Sequence, residues 1–494
     1  MRGAPAGGCR NAFFPVIESP GAQHHGPAQK DGNRLPETFP NQILRKLLAA
    51  VTALWLSLGC ALAESLSLPP TEIHRLDLAN GLRALLIEDH QAPVVHVQVW
   101  YAVGSRNESS GNTGFAHLFE HLMYEGTKNL PPGQFSDYLV RVGGITNAYT
   151  TEDTTVYWET VPSTYLPVVL WLEADRMRNL EITGAELDTE REVVKEERRV
   201  RFDNQPYGSV VETLYRQAYT VHPYRHPIIG SMQDLDRARS EDVRAFYDTY
   251  YVPNNATVVI VGDFASREAE ALVEKYFGPL PPGRQLPGPP IPQEPPQTAR
   301  REVKTVLDVP LPAFVEGYHM PADGTPDAYP LRLAEKILSD GQSSRIYRRL
   351  IYDKQIALEA RCTGHFTQDP NLMFVLAAMN SGHTPAEGRA EVGAELERLK
   401  NEPVSPAELA RAKNQILRDF LLARHNLQTR AEELGYAAVV LKDPQLVNTE
   451  LDRFLAVTAE DIQRVARKYF VPENLTVLEV HPKAGALASL GPPE

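Results

Sequence analysis

The chain has 494 residues with 50 basic and 63 acidic side chains, so its formal net charge is −13. A general nucleic-acid surface needs clustered cations, and this acidic balance excludes such a surface and a nucleic-acid partner. The length exceeds that of one ordinary domain, which predicts two or more hydrophobic cores.

An apolar run near the N-terminus predicts export. The run covers residues 47–59, follows Arg45 and Lys46, and precedes an Ala-Leu-Ala sequence at 61–63. It is shorter than the roughly 20 residues that a membrane-spanning helix needs, so it predicts a secretory signal. We therefore expect a leader over residues 1–63, a mature chain without a transmembrane helix, and a bacterial periplasmic location.

Two features of the leader bear on this prediction. Residues 1–42 are rich in proline, glycine and polar residues and lack apolar periodicity, which indicates a start codon placed too early. Lipid attachment at Cys60 is an alternative, but Ser57 stands where a lipoprotein signal carries leucine. Loss of the leader leaves Cys362 as the one cysteine of the sequence, so the mature chain can form no internal disulfide.

Strand signals follow the leader. Asn80-Gly81 lies between alternating apolar residues in LANGLRALLIEDH and predicts a β-hairpin. The next segment, APVVHVQVWYAVG, is rich in β-branched residues and predicts a further strand.

The stretch GFAHLFEHLMYEGT places His117, Glu120 and His121 within five residues. Its apolar spacing predicts a helix over residues 112–125, with Thr113 as the N-cap. Two histidines four residues apart share one helix face, where their ring nitrogens can bind one zinc ion. Glu120 falls beside them, within reach of a metal-bound water. The alternative is a pair of surface histidines on an acidic helix.

A third ligand is predicted in ITGAELDTEREVVKEERRVRFDN. Here Glu190, Val193, Val194 and Glu197 recur at helical spacing, which predicts a stripe whose apolar members face the interior. Buried carboxylates need a compensating partner, and a divalent cation is one. Glu197 is therefore the candidate ligand, since Glu196 lies about a hundred degrees off the stripe. Glu190 suits an orienting or proton-handling role. The alternative for Glu197 is a salt bridge with an arginine of ERRVR.

A proline-rich run divides the chain. Nine prolines occur from Pro279 to Pro296, and such a run predicts an extended spacer over residues 279–299.

The two sides of this spacer resemble each other. SEDVRAFYDTYYVPNNATVVIV, residues 240–261, matches AEDIQRVARKYFVPENLTVLEV, residues 459–480, without a gap and at an offset of 219. The repeat predicts an α+β protein with two homologous domains, at residues 72–278 and 300–484. We expect each domain to be an antiparallel sheet with helices packed on one face.

The same offset shows what the second domain lacks. The segment from His117 to His121 becomes KILSD, residues 336–340, and Glu197 becomes Ile416. Helical spacing persists without the ligands, so we predict one Zn²⁺ per chain, in the first domain.

These residues resemble the M16 peptidases, a zinc metallopeptidase family that includes pitrilysin, insulin-degrading enzyme and the mitochondrial processing peptidase. The resemblance rests on the H-x-x-E-H order, the 75 residues between His121 and Glu197, and the segments GGITNAYTTEDTTVYWETVP and HPYRHPIIGS. It implies a half-clamshell fold in which His117, His121 and Glu197 bind zinc, Glu120 is the general base and Glu190 assists.

The resemblance also implies a mode of substrate binding. Asn147 and Ala148 would lie on an edge strand that pairs with the backbone of a peptide; a plain internal strand is the alternative. Such pairing makes little demand on peptide sequence. The implied activity is that of a zinc metalloendopeptidase that cuts short or unfolded peptides in an enclosed chamber. The alternatives are a dedicated precursor-processing protease and a non-catalytic structural subunit.

One departure from the family concerns the second domain. Members that work alone carry there an arginine and a tyrosine seven residues apart, and the matching positions are Ile351 and Leu358. Neither side chain can donate a hydrogen bond, and losing one oxyanion donor typically costs about 10²- to 10³-fold in rate. The resemblance is thus closest to short bacterial M16 chains, which pair with a sister subunit that supplies both groups. We expect a heterodimer, with a homodimer as the alternative.

Overall fold

The computed structural model describes residues 69–284 and 291–483. The predicted leader, residues 1–63, lies outside the described residues, and so do residues 285–290 of the predicted spacer. The described ends of that spacer, residues 281–284 and 291–298, form neither helix nor strand.

The elements of the described ranges follow in chain order. The strands are β1 (His74–Asp77), β2 (Arg83–Glu88), β3 (Val94–Tyr101), β4 (Ile145–Thr150), β5 (Thr155–Pro162), β6 (Ala256–Gly262), β7 (Arg301–Leu307), β8 (Ala313–His319), β9 (Ala357–Gly364), β10 (Leu372–Met379) and β11 (Leu475–Pro482). The α-helices are α1 (Phe115–Leu122), α2 (Gln134–Arg141), α3 (Leu166–Asn179), α4 (Gly184–Arg198), α5 (Val210–Ala218), α6 (Met232–Arg237), α7 (Ser240–Tyr250), α8 (Ser266–Phe277), α9 (Ala328–Ser339), α10 (Arg345–Tyr347), α11 (Pro385–Asn401), α12 (Pro406–Ala423), α13 (Leu427–Val439), α14 (Leu446–Ala456) and α15 (Ala459–Tyr469). Two π-helical turns occupy Arg199–Asp203 and Arg348–Asp353. Within these ranges, no helix combines the length and the apolar character needed to cross a bilayer.

Two sheets organise the fold. The first has the strand order β1-β2-β6-β3-β5-β4, and the second has the order β7-β11-β8-β10-β9. Apart from β1, the strands correspond one to one in the two sheets, so the prediction of an α+β protein with two related halves is confirmed. The predicted hairpin at Asn80-Gly81 joins β1 to β2, and Gly81 takes the positive φ of 89° that such a turn favours.

The sheets differ from the prediction in strand direction. Both were expected to be antiparallel, whereas β2 pairs in parallel with β6, and β7 pairs in parallel with β11. The chain reaches the second strand of each pair only after the other strands of that half, and a long crossover of this kind permits parallel pairing. Apolar spacing reveals which face of a sheet a residue occupies but not the direction of its strand.

The structure also differs from the prediction in how many faces of a sheet the helices cover. Val95, Val97 and Val99 of β3 are fully buried in one core with α1, α3, α7 and α8 of the same half. Trp100 points to the opposite face, where it packs with Val259 against α13 of the second half. Helices therefore cover both faces of the first sheet rather than one.

The helix that covers the second face of each sheet comes from the other half of the chain. α13 packs on β3 and β6, whereas α5 packs on β8 and β11. α5 and α13 hold matching positions under the offset of 219 residues. Arg301 Nη1 reinforces the second contact by donating to the carbonyls of Gln217 and Ala218, at 2.7 Å each. Each half thus depends on the other to complete its core.

Gly435→Ala tests this exchange, because α13 approaches β3 so closely that a Cβ at Gly435 would lie 2.2 Å from the Trp100 ring. We expect a loss of about 1–3 kcal/mol in the free energy of unfolding. Gly393→Ala in α11 is the matched control, since its Cβ would meet nothing within 4 Å. The control should be neutral or stabilising by up to about 1 kcal/mol. Urea unfolding followed by tryptophan fluorescence measures both, and equal effects would contradict the close packing.

Candidate metal centre

The helix that carries the two histidines is shorter and is capped differently than predicted. It begins at Phe115, and Thr113 is not its cap, because the threonine hydroxyl donates to Asp234 Oδ2 at 2.6 Å. The buried Glu108 instead accepts the backbone N–H groups of Gly114 and Ala116, at 2.8 Å each. A carboxylate at this position satisfies two otherwise unpaired donors and complements the helix dipole.

A neighbouring loop fixes the start of α1 against the end of α4. Gly114 has a φ of 92°, and a Cβ there would lie 2.7 Å from the carbonyl oxygen of Ile229. Arg198 Nη1, at the end of α4, donates to the carbonyl of Gly230 at 2.8 Å. The end of the HPYRHPIIGS segment therefore holds together the two helices that carry the candidate ligands.

The second of these helices, α4, begins with a capping box. Glu186 N–H donates to Thr183 Oγ1 at 3.3 Å, and Thr183 N–H donates to Glu186 Oε2 at 2.7 Å. Leu187 and Val194 are its buried apolar residues. The prediction that Val193 faces the interior was wrong, because this side chain is 45% exposed. The stripe is therefore formed by residues 187, 190, 194 and 197.

The candidate ligand atoms converge between α1 and α4. Glu197 Oε2 lies 3.6 Å from His117 Nε2 and 3.4 Å from His121 Nε2. The ligand atoms of the three residues all lie within 4.8 Å of one another. Glu196 is exposed, and its carboxylate accepts a hydrogen bond from Arg199 at 2.9 Å. The structure thus brings Glu197, and not its neighbour, to the two imidazoles.

This donor set fits zinc. Zinc–ligand bonds of about 2.0–2.2 Å in a tetrahedron place neighbouring ligand atoms about 3.3–3.6 Å apart. Both distances from the Glu197 oxygen fall in that range. Two imidazoles and one carboxylate also leave a fourth position for water, as in catalytic rather than structural zinc sites.

Glu190 orients His121. Its Oε2 lies 3.2 Å from His121 Nδ1, which leaves Nε2 of that ring to face Glu197. Burial alone would lower the pKa of His121, but the hydrogen bonds with Glu190 and Glu197 raise it to about 9. Burial and the charge of His121 lower the pKa of His117 to about 4. A cation at the site must therefore displace a proton from His121, so binding should strengthen as pH rises.

The two oxygens of Glu197 have different partners. Oε2 faces the imidazoles, whereas Oε1 pairs with Arg201 Nη1 at 2.7 Å. The salt bridge weighed as the alternative thus coexists with the ligand position. Burial would raise the pKa of Glu197, but the hydrogen bond from His121 and the surrounding positive charges lower it to about 2. The carboxylate is therefore ionised over the whole neutral pH range.

Glu120 projects beside the ligands and is held from β4. Thr150, the last residue of that strand, donates its hydroxyl to Glu120 Oε2 at 2.8 Å. Burial raises the pKa of Glu120, and the bond from Thr150 opposes this rise. A carboxylate with a raised pKa is a better acceptor for a proton taken from water.

Asn147 and Ala148 lie on β4, which ends the first sheet and pairs with β5. The N–H of Ala148 donates to the side chain of Asn147 at 2.9 Å, and no described strand pairs with β4 on the side away from β5. The strand is therefore an edge strand, and not the internal strand of the alternative.

An ion pair stands at the corresponding place in the second half. Lys336 and Asp340 align with His117 and His121, and Lys336 Nζ lies 2.9 Å from both Asp340 and Asp419. The ammonium group supplies there the positive charge that a metal ion would supply in the first half.

Sequence reasoning missed Glu108 and Thr150. Thr150 lies two residues from Ala148, and both are buried on one face of β4, so the period-two pattern of a strand would have placed it facing α1. Glu108 gave no such signal, because it caps α1 from outside the helix.

Family models match both halves. The model described as "Insulinase (Peptidase family M16)" covers residues 83–232, and the one described as "Peptidase M16 inactive domain" covers residues 237–416. The zinc protease PqqE of Helicobacter pylori is 33% identical over 447 residues, which cover 89% of this chain and 99% of that protein.

Solved structures share the fold. A protease from Helicobacter pylori aligns with a TM-score of 0.81 and 32% identity, covering 84% of this chain and 100% of the other. The periplasmic protease PqqL from Escherichia coli aligns with a TM-score of 0.71 and 19% identity, covering 86% of this chain and 49% of the other. At the lower identity the likeness concerns the fold alone.

Proposed function

Because the chain belongs to the M16 peptidase family, we propose that it is a zinc-dependent metalloendopeptidase with one zinc site per chain. The observation that carries this proposal is the convergence of His117, His121 and Glu197, with Glu120 beside them. Zinc, when bound, lowers the pKa of a coordinated water toward about 7.

The chain's own residues then have separate roles in the proposed reaction. Glu120 takes a proton from the attacking water and later delivers it to the leaving amine of the cut peptide bond. Glu190 keeps His121 Nε2 turned toward the ion through its bond to Nδ1. The Glu197 carboxylate, which pairs with Arg201, completes the ligand set.

The edge strand β4 is the proposed peptide site. A peptide that pairs with β4 must displace the Asn147 side chain from the Ala148 N–H, after which both groups can bind the substrate backbone. The proposed substrates are short or unfolded peptides, because extended chains alone can add to a sheet edge. A crystal structure with a bound peptide checks this placement, and a peptide that leaves β4 untouched would contradict it.

A second subunit is proposed to complete the site. Leu358 lies on β9 and is 63% exposed, and Ile351 lies on the π-helical turn before it; neither can stabilise an oxyanion. We therefore propose a heterodimer whose partner supplies an arginine and a tyrosine around an enclosed chamber, with a homodimer as the alternative. Mass spectrometry of the subunits in the complex purified from its native source distinguishes the two, since a homodimer contains this chain alone.

Export to the periplasm is part of the same proposal. It rests on the apolar run of residues 47–59 and accords with the fold shared with periplasmic PqqL. N-terminal sequencing of the native protein tests it, and cleavage after Ala63 is the expected result.

Metal removal tests the proposed activity directly. Dialysis against a chelator should abolish cleavage of a quenched fluorescent peptide, and one equivalent of Zn²⁺ should restore it. The chelator-treated protein, with the chelator then removed and buffer added in place of Zn²⁺, is the control that shows whether restored cleavage requires the metal. Because an unpartnered chain should be slow, the assay needs long incubation and mass-spectrometric detection of products. Cleavage that survives complete metal removal would refute the proposal, as would inactivity of the zinc-loaded native complex.

A further inference from the structure

Glu120 and the edge strand β4 are joined by a partly buried hydrogen bond. The Thr150 hydroxyl donates to Glu120 Oε2 at 2.8 Å, and Thr150 has no exposed surface. Thr150 ends β4, two residues beyond Ala148, and pairs across the sheet with Thr155. The Thr155 hydroxyl has a different partner and donates to the Val103 carbonyl at 2.9 Å.

Such a bond matters because a glutamate side chain is intrinsically mobile. Fixing one costs conformational entropy, which a hydrogen bond to the carboxylate can offset. The bond from Thr150 therefore favours one position of the Glu120 side chain over the others. With Oε2 held by Thr150, Oε1 is the carboxylate oxygen that this bond leaves available to accept a proton. A misplacement of about 1 Å in a reacting group can cost about 10²-fold in rate.

We propose that Thr150 is a positioning residue that fixes the Glu120 carboxylate and ties it to the strand proposed to hold the peptide. This inference rests on the proposed peptidase function. Since Ala148 and Thr150 belong to the same short strand, the peptide and the base would keep one register relative to each other.

The paired strands β4 and β5 offer a matched control for this proposal. Thr150→Val removes the hydroxyl and keeps the shape of the side chain. Thr155→Val removes a comparable buried hydroxyl from the paired residue, which contacts the Val103 carbonyl. Both should lower stability by a similar amount, so a difference in activity between them cannot come from stability. Thr150→Ser keeps the hydroxyl and should therefore keep the activity that Thr150→Val loses.

The kinetic test uses the zinc-loaded complex and a quenched peptide. Thr150→Val should lower kcat by about 10- to 100-fold and leave KM and the zinc content within about twofold. Thr150→Ser and Thr155→Val should keep kcat within about threefold of the wild type. In a Glu120→Gln background, Thr150→Val should cause no further loss. Unchanged kcat in Thr150→Val, or an equal loss in Thr155→Val, would overturn the proposal.

A structural readout separates this proposal from the peptidase proposal. In crystal structures of the zinc-loaded wild type, Glu120 should occupy one position with Oε2 on Thr150. In Thr150→Val it should rotate or occupy several positions, while His117 and His121 stay in place. If the wild-type complex cuts no peptide, the peptidase proposal fails, and the Glu120 positions still decide the role of Thr150. An unmoved Glu120 in Thr150→Val would refute that role.

Discussion

Glu120→Gln is expected to lower kcat by about 10²- to 10⁴-fold while the protein still binds zinc. The amide matches the carboxylate in shape, and its carbonyl oxygen can still accept the hydrogen bond from Thr150. What it cannot do is take a proton from water. Because Glu120 contributes no ligand atom to the cluster formed by His117, His121 and Glu197, the metal should remain.

Two measurements on the same preparation check this result. Zinc is counted by mass spectrometry of the purified complex, and kcat is measured with a quenched peptide. Loss of activity together with loss of zinc would make Glu120 a ligand rather than the base. Activity within a few fold of the wild type would remove it from the mechanism, and another group would have to accept the proton.

The parts of the site that sequence could predict are those set by local periodicity. Histidines four residues apart on a helix must share a face, and Glu190 and Glu197 must share another. The functional face of each helix could therefore be predicted. The prediction placed Val193 wrongly, because apolar residues alone define the position of a helix stripe only approximately. The meeting of the two helices was a hypothesis drawn from the buried carboxylates, which the resemblance to the family then supported, since periodicity says nothing about which helices pack together.

The parts that sequence did not predict depend on partners distant in the chain. Glu108 replaces Thr113 at the start of α1 because Asp234, more than a hundred residues away, engages the threonine. The offset of 219 residues identified two halves, but it could not show that α5 and α13 cross between them. Sequence also did not predict the parallel pairing of β2 with β6, because these strands lie at the two ends of one half.

Glu197→Gln is expected to weaken zinc binding by at least about 10²-fold and to abolish peptide cleavage at limiting zinc. A neutral amide is a poor zinc ligand, and loss of even an outer-sphere partner typically costs about 10- to 100-fold in affinity. The substitution also removes the charge that pairs with Arg201, which would leave an unpaired cationic group beside the incoming metal.

Glu196→Gln is the matched control for that experiment, because it makes the same chemical change on the next residue of α4. Its carboxylate is exposed and pairs with Arg199 at 2.9 Å, and an exposed ion pair of this kind contributes about 0–1 kcal/mol. Zinc affinity and kcat should therefore stay within about twofold of the wild type. Competition with a chromophoric chelator measures the affinities, and thermal unfolding of the metal-free proteins separates stability from metal binding. Equal zinc loss in both variants would mean that the general negative charge of α4, and not the Glu197 oxygen 3.4 Å from His121, determines metal binding.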